Sequence, residues 1–172
     1  MDGSHVTFED VARSLGETWT FIPWELKNLD YRDGVYRGLY HVQLDADLDE
    51  KAPHRPLLHG STLFEISMYH TLASALFAYS QEHFPELSSA PKVSLAEAGR
   101  RFLITSVKLK FRKPIFDPEV TVDLTSDRIV GNFTKRGLVF FYATVRLAGG
   151  KHVSTIGGCF NLRDDLMATA TA

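Results

Sequence analysis

His59, Gly60, Ser61 and Thr62 stand in a row between a proline-containing loop, Pro53-His54-Arg55-Pro56-Leu57-Leu58, and a long apolar segment that reaches Phe84. If that segment is a helix, its first turn presents N–H groups without intrahelical partners at the positive end of the helix dipole. Such an entrance stabilises an oxyanion or a polarised thioester carbonyl, with Gly60 and Ser61 supplying the N–H groups. A histidine's ordinary pKa lies near neutral pH, and His59 is placed beside that carbonyl, where it can move protons. Glu65 offers a carboxylate to orient His59 or a water. Its other reading is a capping box, Thr62-Leu63-Phe64-Glu65, in which the glutamate reaches back to the Thr62 N–H. The pattern suits acyl-thioester chemistry.

The remaining polar candidates carry less. The hydroxyls of Ser61 and Thr62 read as helix caps, since no Gly-x-Ser-x-Gly elbow supports a serine nucleophile. Tyr36 and Tyr40 share one face of a predicted strand, where they either line a substrate pocket or pack in the core; His41 faces the opposite side. His70 lies among apolar neighbours and reads as a hydrogen-bonded core histidine. His54 and His59 lack a clear third ligand, so no metal site is expected. Cys159, between Gly158 and Phe160, has no activating charge and reads as a packed sheet residue.

The elements that must position these groups follow from periodicity and turn chemistry. Residues 7–16 predict a short amphipathic helix with Thr7 as its N-cap. Asp33-Gly34 marks a hairpin joining an extended segment that ends at Tyr31 to a strand from Val35 to Leu44. A central helix is expected over about residues 61–84, stopped by Pro85, with a weaker helix near Ser94–Ala98. It is apolar on nearly every side, so a sheet must wrap it. Strands are expected over Phe102–Arg112, Val120–Val130, Leu138–Leu147 and Val153–Leu162. Gly149-Gly150 reads as a turn and Gly157-Gly158 as a bulge or kink. Residues 165–172 read as a frayed tail. The fold class is α+β, an antiparallel sheet around a long helix, in a single domain over residues 1–172.

Composition narrows the setting. The chain has 172 residues, a formal net charge of −2 and one cysteine. That balance gives no steering toward nucleic acid. One cysteine excludes an internal disulfide and fits a reducing compartment. With no basic-then-apolar leader and no membrane-length apolar run, the expectation is a soluble, cytoplasmic protein.

The stretch Arg55-Pro56-Leu57-Leu58-His59-Gly60-Ser61-Thr62-Leu63-Phe64-Glu65 resembles the loop and helix start of the FabZ-like β-hydroxyacyl dehydratases, a hot-dog fold family. On that match Glu65 falls on the family's catalytic acid. The family's histidine position, four residues before the arginine, holds Lys51 here, and His59 replaces the proline before the glycine. Together with Leu72-Ala73-Ser74-Ala75-Leu76-Phe77-Ala78 and Phe111-Arg112-Lys113-Pro114, His59 is closer to the FcoT-like hot-dog thioesterases. That resemblance spans most of Tyr36–Leu162. It implies a dual-function enzyme: glycine adds in a Michael sense to an α,β-unsaturated acyl thioester, borne by acyl carrier protein or coenzyme A, and hydrolysis releases a 3-(carboxymethylamino) acid of the kind used as β-amino acid starters in polyketide biosynthesis.

Taken with the reading of the residues, the expectation is His59 and Glu65 as catalytic residues, Gly60 and Ser61 at the thioester, and Tyr36, Tyr40, Thr62 and Arg37 around the substrate. No cofactor is implied, and a homodimer is. Arg37, Arg112 and Lys113 are the cations suited to the glycine carboxylate. The row Lys108, Lys110 and Arg112, with Arg100 and Arg101 nearby, reads as a solvated face or as a docking face for an acidic carrier protein. A simple acyl thioesterase, a hydratase or dehydratase, and a non-catalytic acyl-binding module stay open beside this reading.

Overall fold

The computed structural model describes residues 7–16, 24–43, 58, 60–88, 90–132 and 137–163. Its elements are α1 (Phe8–Gly16), β1 (Trp24–Arg32), β2 (Val35–Val42), α2 (Gly60–Ser80), α3 (Pro85–Ser88), α4 (Leu95–Arg100), β3 (Phe102–Phe111), β4 (Glu119–Asn132), β5 (Leu138–Leu147) and β6 (His152–Asn161). The strands form one antiparallel six-stranded sheet in the order β1-β2-β4-β5-β6-β3, and α2 packs across it. This is the hot-dog fold expected from the sequence. His59, His54, Lys51 and the proposed frayed tail lie outside the described residues.

Local chemistry explains the element ends. At α1, Thr7 Oγ1 accepts from the Asp10 N–H at 3.3 Å, and the Asp10 carboxylate accepts from the Thr7 N–H at 2.8 Å, a reciprocal cap. Asp33 and Gly34 both take positive φ (51° and 79°), the backbone a two-residue hairpin needs between right-twisted strands.

The central helix begins at Gly60 and stops at Ser80, short of Phe84. It ends because Glu82 turns left-handed (φ 51°), while the His83 N–H reaches the Ala78 carbonyl (3.1 Å) and the Glu82 N–H reaches that of Tyr79 (3.4 Å). These two bonds close a Schellman motif and satisfy carbonyls that a continuing helix would have used.

Burial of α2 extends all round its axis. Leu63, Ile66, Ala73, Ala75 and Leu76 are fully inside, and so are Ser67, Thr71 and Ser74. Ser67 and Thr71 are tolerated there because each hydroxyl donates to the carbonyl four residues earlier, at 2.8 Å. The sheet face beneath supplies Tyr36, Tyr40, Val120, Val122, Leu124 and Phe141.

Gly157 and Gly158 sit in regular pairing on β6, and the irregularity lies opposite, between Ile104 and Ser106 of β3. Their role is clearance: a β-carbon at Gly158 would stand 2.2 Å from the Phe102 ring. No helix among the described residues is long and apolar enough to cross a membrane.

Candidate functional site

Where α2 starts, the chain that follows β3 packs beside it. Arg112 and Lys113 N–H groups both donate to the Lys151 carbonyl (3.1 and 3.2 Å), tying the end of β3 to the turn before β6. The Leu58 N–H donates to the Ile115 carbonyl at 2.9 Å, fixing the approach to α2 against the same loop. Between them lies a cavity of about 420 Å³. Leu58, Leu63, Pro114 and Ile115 make its apolar wall, while Gly60, Phe111, Arg112, Lys113 and His152 complete it.

Gly60 is the first residue of α2, so its N–H and those of Ser61 and Thr62 have no carbonyl one turn back to bind. Gly60 and Ser61 are exposed and Thr62 is half-buried. The lack of a side chain at Gly60 is what admits Phe111, whose Cζ would stand 3.0 Å from a β-carbon there. Glu65 is half-buried and joins no other described residue by a hydrogen bond or ion pair. Because the helix starts at Gly60, Thr62 sits inside the first turn and not at the cap. The capping-box reading of Thr62 and Glu65 therefore has no support in the geometry.

His152 is the residue sequence reasoning missed. It opens β6 opposite Phe111 of β3, and the two rings meet edge to face at 5.0 Å. It is 4% exposed, yet neither ring nitrogen has a well-formed hydrogen bond among the described residues. Burial pushes its pKa down; the Lys113 backbone favours the proton and the Lys151 charge opposes it. The imidazole is thus neutral near pH 7, with one N–H and one bare nitrogen.

Three expected substrate residues stand elsewhere. Tyr36 and Tyr40 do share a face of β2, but that face is the one buried under α2. The Tyr40 hydroxyl meets His70 Nδ1 at 3.0 Å and the Tyr36 hydroxyl meets His83 Nδ1 at 2.8 Å. Neither tyrosine lines the cavity, and burial raises both phenol pKa values. Arg37 is on the solvent side of β2, paired with Asp123 at 2.7 Å.

His70 is a core residue: it is fully buried, and its Nε2 donates to the Tyr36 carbonyl at 3.1 Å. A carbonyl can only accept, so Nδ1 carries the lone pair and the Tyr40 hydroxyl donates to it. Desolvation lowers the His70 pKa to about 4, which keeps this tautomer neutral. Cys159 is buried and its thiol pKa is raised by that burial, away from nucleophile chemistry.

Among the other cations, Arg101 is held by Glu97 at 2.6 Å, whereas Lys108 and Lys110 are exposed on β3. No group of three metal-ligating side chains occurs among the described residues.

No family model matches the chain, and no curated protein does. Among solved structures it is similar to a candidate thioesterase from Syntrophus aciditrophicus, at 14% identity over 89% of this chain and 95% of that one, with a TM-score of 0.62. It is also similar to a thioesterase variant from Pseudomonas aeruginosa (12% identity, 91% and 95% covered, TM-score 0.49). AziG from S. sahachiroi follows at 16% identity, with 81% and 91% covered and a TM-score of 0.44. At such identities the likeness is one of architecture, and what it shows is that this chain is a hot-dog fold protein.

Proposed function

We propose that the protein is an acyl thioesterase that first adds glycine to an α,β-unsaturated acyl thioester and then hydrolyses the adduct to a 3-(carboxymethylamino) acid. The observation that carries this reading is the meeting of two distant segments at one cavity. The helix entrance at Gly60 and the strand end Phe111-Arg112-Lys113-Pro114 line the same 420 Å³. Phe111-Arg112-Lys113-Pro114 is one of the motifs on which the resemblance to glycine-adding thioesterases rests, and Gly60 directly follows His59, another of them. The thioesterases of like fold support the hydrolytic half.

The chemistry needs few parts. The glycine ammonium loses a proton to a base, assigned to His59, and its nitrogen forms a bond to the β-carbon. The C=C electron pair moves to the thioester oxygen as an enolate, held by the Gly60 and Ser61 N–H groups. The α-carbon is then protonated and the carbonyl restored. Water, deprotonated by the same histidine, adds to that carbonyl; the oxyanion collapses and the thiolate leaves, taking up a proton. Both steps place negative charge on one oxygen, so a single donor pair serves twice. Glu65, one turn along α2, is assigned to orienting His59 or the water. No cofactor is called for. A homodimer and a carrier-protein or coenzyme A thioester complete the proposal.

The test is mass spectrometry of products from a crotonyl-pantetheine thioester, with and without glycine. A free acid carrying the mass of added glycine, formed only with enzyme, is the expected result. Release of crotonate alone, indifferent to glycine, would leave a simple thioesterase.

A further inference from the structure

The scheme above leaves one polar group on the cavity wall without a role. His152 is the one described lining side chain that can accept a hydrogen bond, and it is 4% exposed with no well-formed hydrogen bond at either ring nitrogen. A neutral imidazole carries one N–H and one bare nitrogen, and the bare one needs a donor. Among the described lining side chains only Arg112 and Lys113 could supply it. Both are exposed, and a cationic head is better solvated in water than against hydrocarbon. Leu58, Leu63 and Ile115, all buried, keep the neighbouring wall apolar. An alkyl chain filling the cavity would shut the bare nitrogen away from water with nothing to bind it, which a suitably polar chain avoids.

Phe111 fixes how far such a polar group lies from the reacting end. Its Cζ would stand 3.0 Å from a β-carbon on Gly60, and its ring meets that of His152 edge to face with centroids 5.0 Å apart. The α2 entrance and the imidazole are thus one aromatic ring apart. We propose that His152 selects acyl chains bearing a hydroxyl a few carbons beyond the β-carbon, the hydroxyl donating to the bare ring nitrogen. The selection rests on the reading that seats the thioester oxygen on the Gly60 and Ser61 N–H groups. A ketone or ether oxygen only accepts, and a carboxylate would turn negative charge toward the bare nitrogen. An ammonium would donate but lie beside two cations. A hydroxyl donates without charge, and the methylenes before it match Leu63 and Ile115.

The probes are (E)-5-hydroxypent-2-enoyl-pantetheine, its methyl isostere (E)-hex-2-enoyl-pantetheine and the methyl ether of the first, which cannot donate, each with its next longer homologue. In the parental enzyme the better hydroxylated thioester is expected to exceed its isostere and its ether by about tenfold or more in kcat/KM. H152F removes the acceptor and should bring the three within about twofold of one another. The parental comparison stands even if H152F folds poorly. Amide analogues, with N–H in place of the thioester sulfur, bind without reacting. In the full-length protein labelled with ¹⁵N at histidine, the hydroxylated amide shifts the ring nitrogens whose signals vanish in H152F. A methyl isostere as good as the hydroxylated chain, or a hydroxyl preference that survives in folded H152F, would overturn the selection. So would the absence of any shift with the hydroxylated amide, whether or not glycine is added to the thioester. A hydroxyl preference with release of the bare unsaturated acid would keep the selection and remove the glycine addition. Hydroxyl-dependent binding of the amide with no turnover of any thioester would keep the selection and remove the thioesterase.

Discussion

Gly60 at the start of α2 and Phe111 at the end of β3 approach so closely that a β-carbon on Gly60 would stand 3.0 Å from the ring's Cζ. The ring is half in solvent and can give way, so the strain of a methyl group is relieved by moving Phe111 and not by unwinding the helix. G60A is therefore expected to match the parent in stability to within about 1 kcal/mol, the alanine's helix preference offsetting the push. Phe111 walls the cavity, and shifting it by a few tenths of an ångström misplaces the acyl group. A fall of about tenfold in kcat/KM is expected, partly restored in G60A/F111L. An undiminished G60A enzyme would show that the ring does not position the substrate.

How far the sequence revealed this site depends on whether the signal was local. Asp33-Gly34, the Thr7 cap and the apolar run of α2 are legible because turn, cap and period are properties of neighbouring residues. The shared face of Tyr36 and Tyr40 follows from alternation alone. What occupies their hydroxyls does not, because His70 and His83 lie 30 and 47 residues away and meet them only through helix-on-sheet packing. His152 is the sharper case. A strand starting at Val153 leaves it in a turn. Only the β3–β6 register, pairing it with Phe111, and the fold-back at Leu58 turn it into a cavity residue. The single available signal was a histidine directly beside a predicted strand start.

The His70 cluster should dominate core stability. Y40F removes one donor and leaves Nδ1 of a buried ring unsatisfied, an expected loss of about 1–3 kcal/mol in urea unfolding. H70A removes the ring as well and strands both the Tyr40 hydroxyl and the Tyr36 carbonyl, for about 3 kcal/mol or more. G38A should be as damaging by another route, since its β-carbon would meet His70 Nδ1 and Cε1 at 2.8 Å. If Y40F unfolded at the parental urea midpoint, the Tyr40–His70 bond would carry no net stability.

The same histidine sets an acid sensitivity of known sign. Its pKa is lowered from 6.5 to about 4 by desolvation, so between those values the unfolded chain binds a proton that the native protein does not. Stability contributed by neutral His70 is therefore fully present above pH 6.5 and is lost as pH falls toward 4, by about 3 kcal/mol over the window. His83 and His152, also lowered by burial, add in the same direction. The discriminating comparison is with H70Q, whose stability should fall less steeply between pH 6.5 and 4. Parallel slopes for the two proteins would place the acid sensitivity elsewhere.

The proposed chemistry assigns both steps to one histidine, and this makes a demanding prediction. A base that deprotonates glycine in the first step and water in the second cannot be removed from one without the other. H59A should lose about 10²–10⁴-fold in adduct formation and by a similar factor in hydrolysis of a synthetic 3-(carboxymethylamino)acyl thioester, with its urea midpoint unchanged. Glu65 provides the control for an orienting role. E65Q keeps a hydrogen-bonding side chain on the first turns of α2 but removes the charge that would favour protonated His59, so the pH–rate profile should shift to lower pH as well as fall. An H59A enzyme that hydrolyses the preformed adduct at the parental rate would separate the two steps and require a second base, and among the described residues lining the cavity the imidazole available is that of His152.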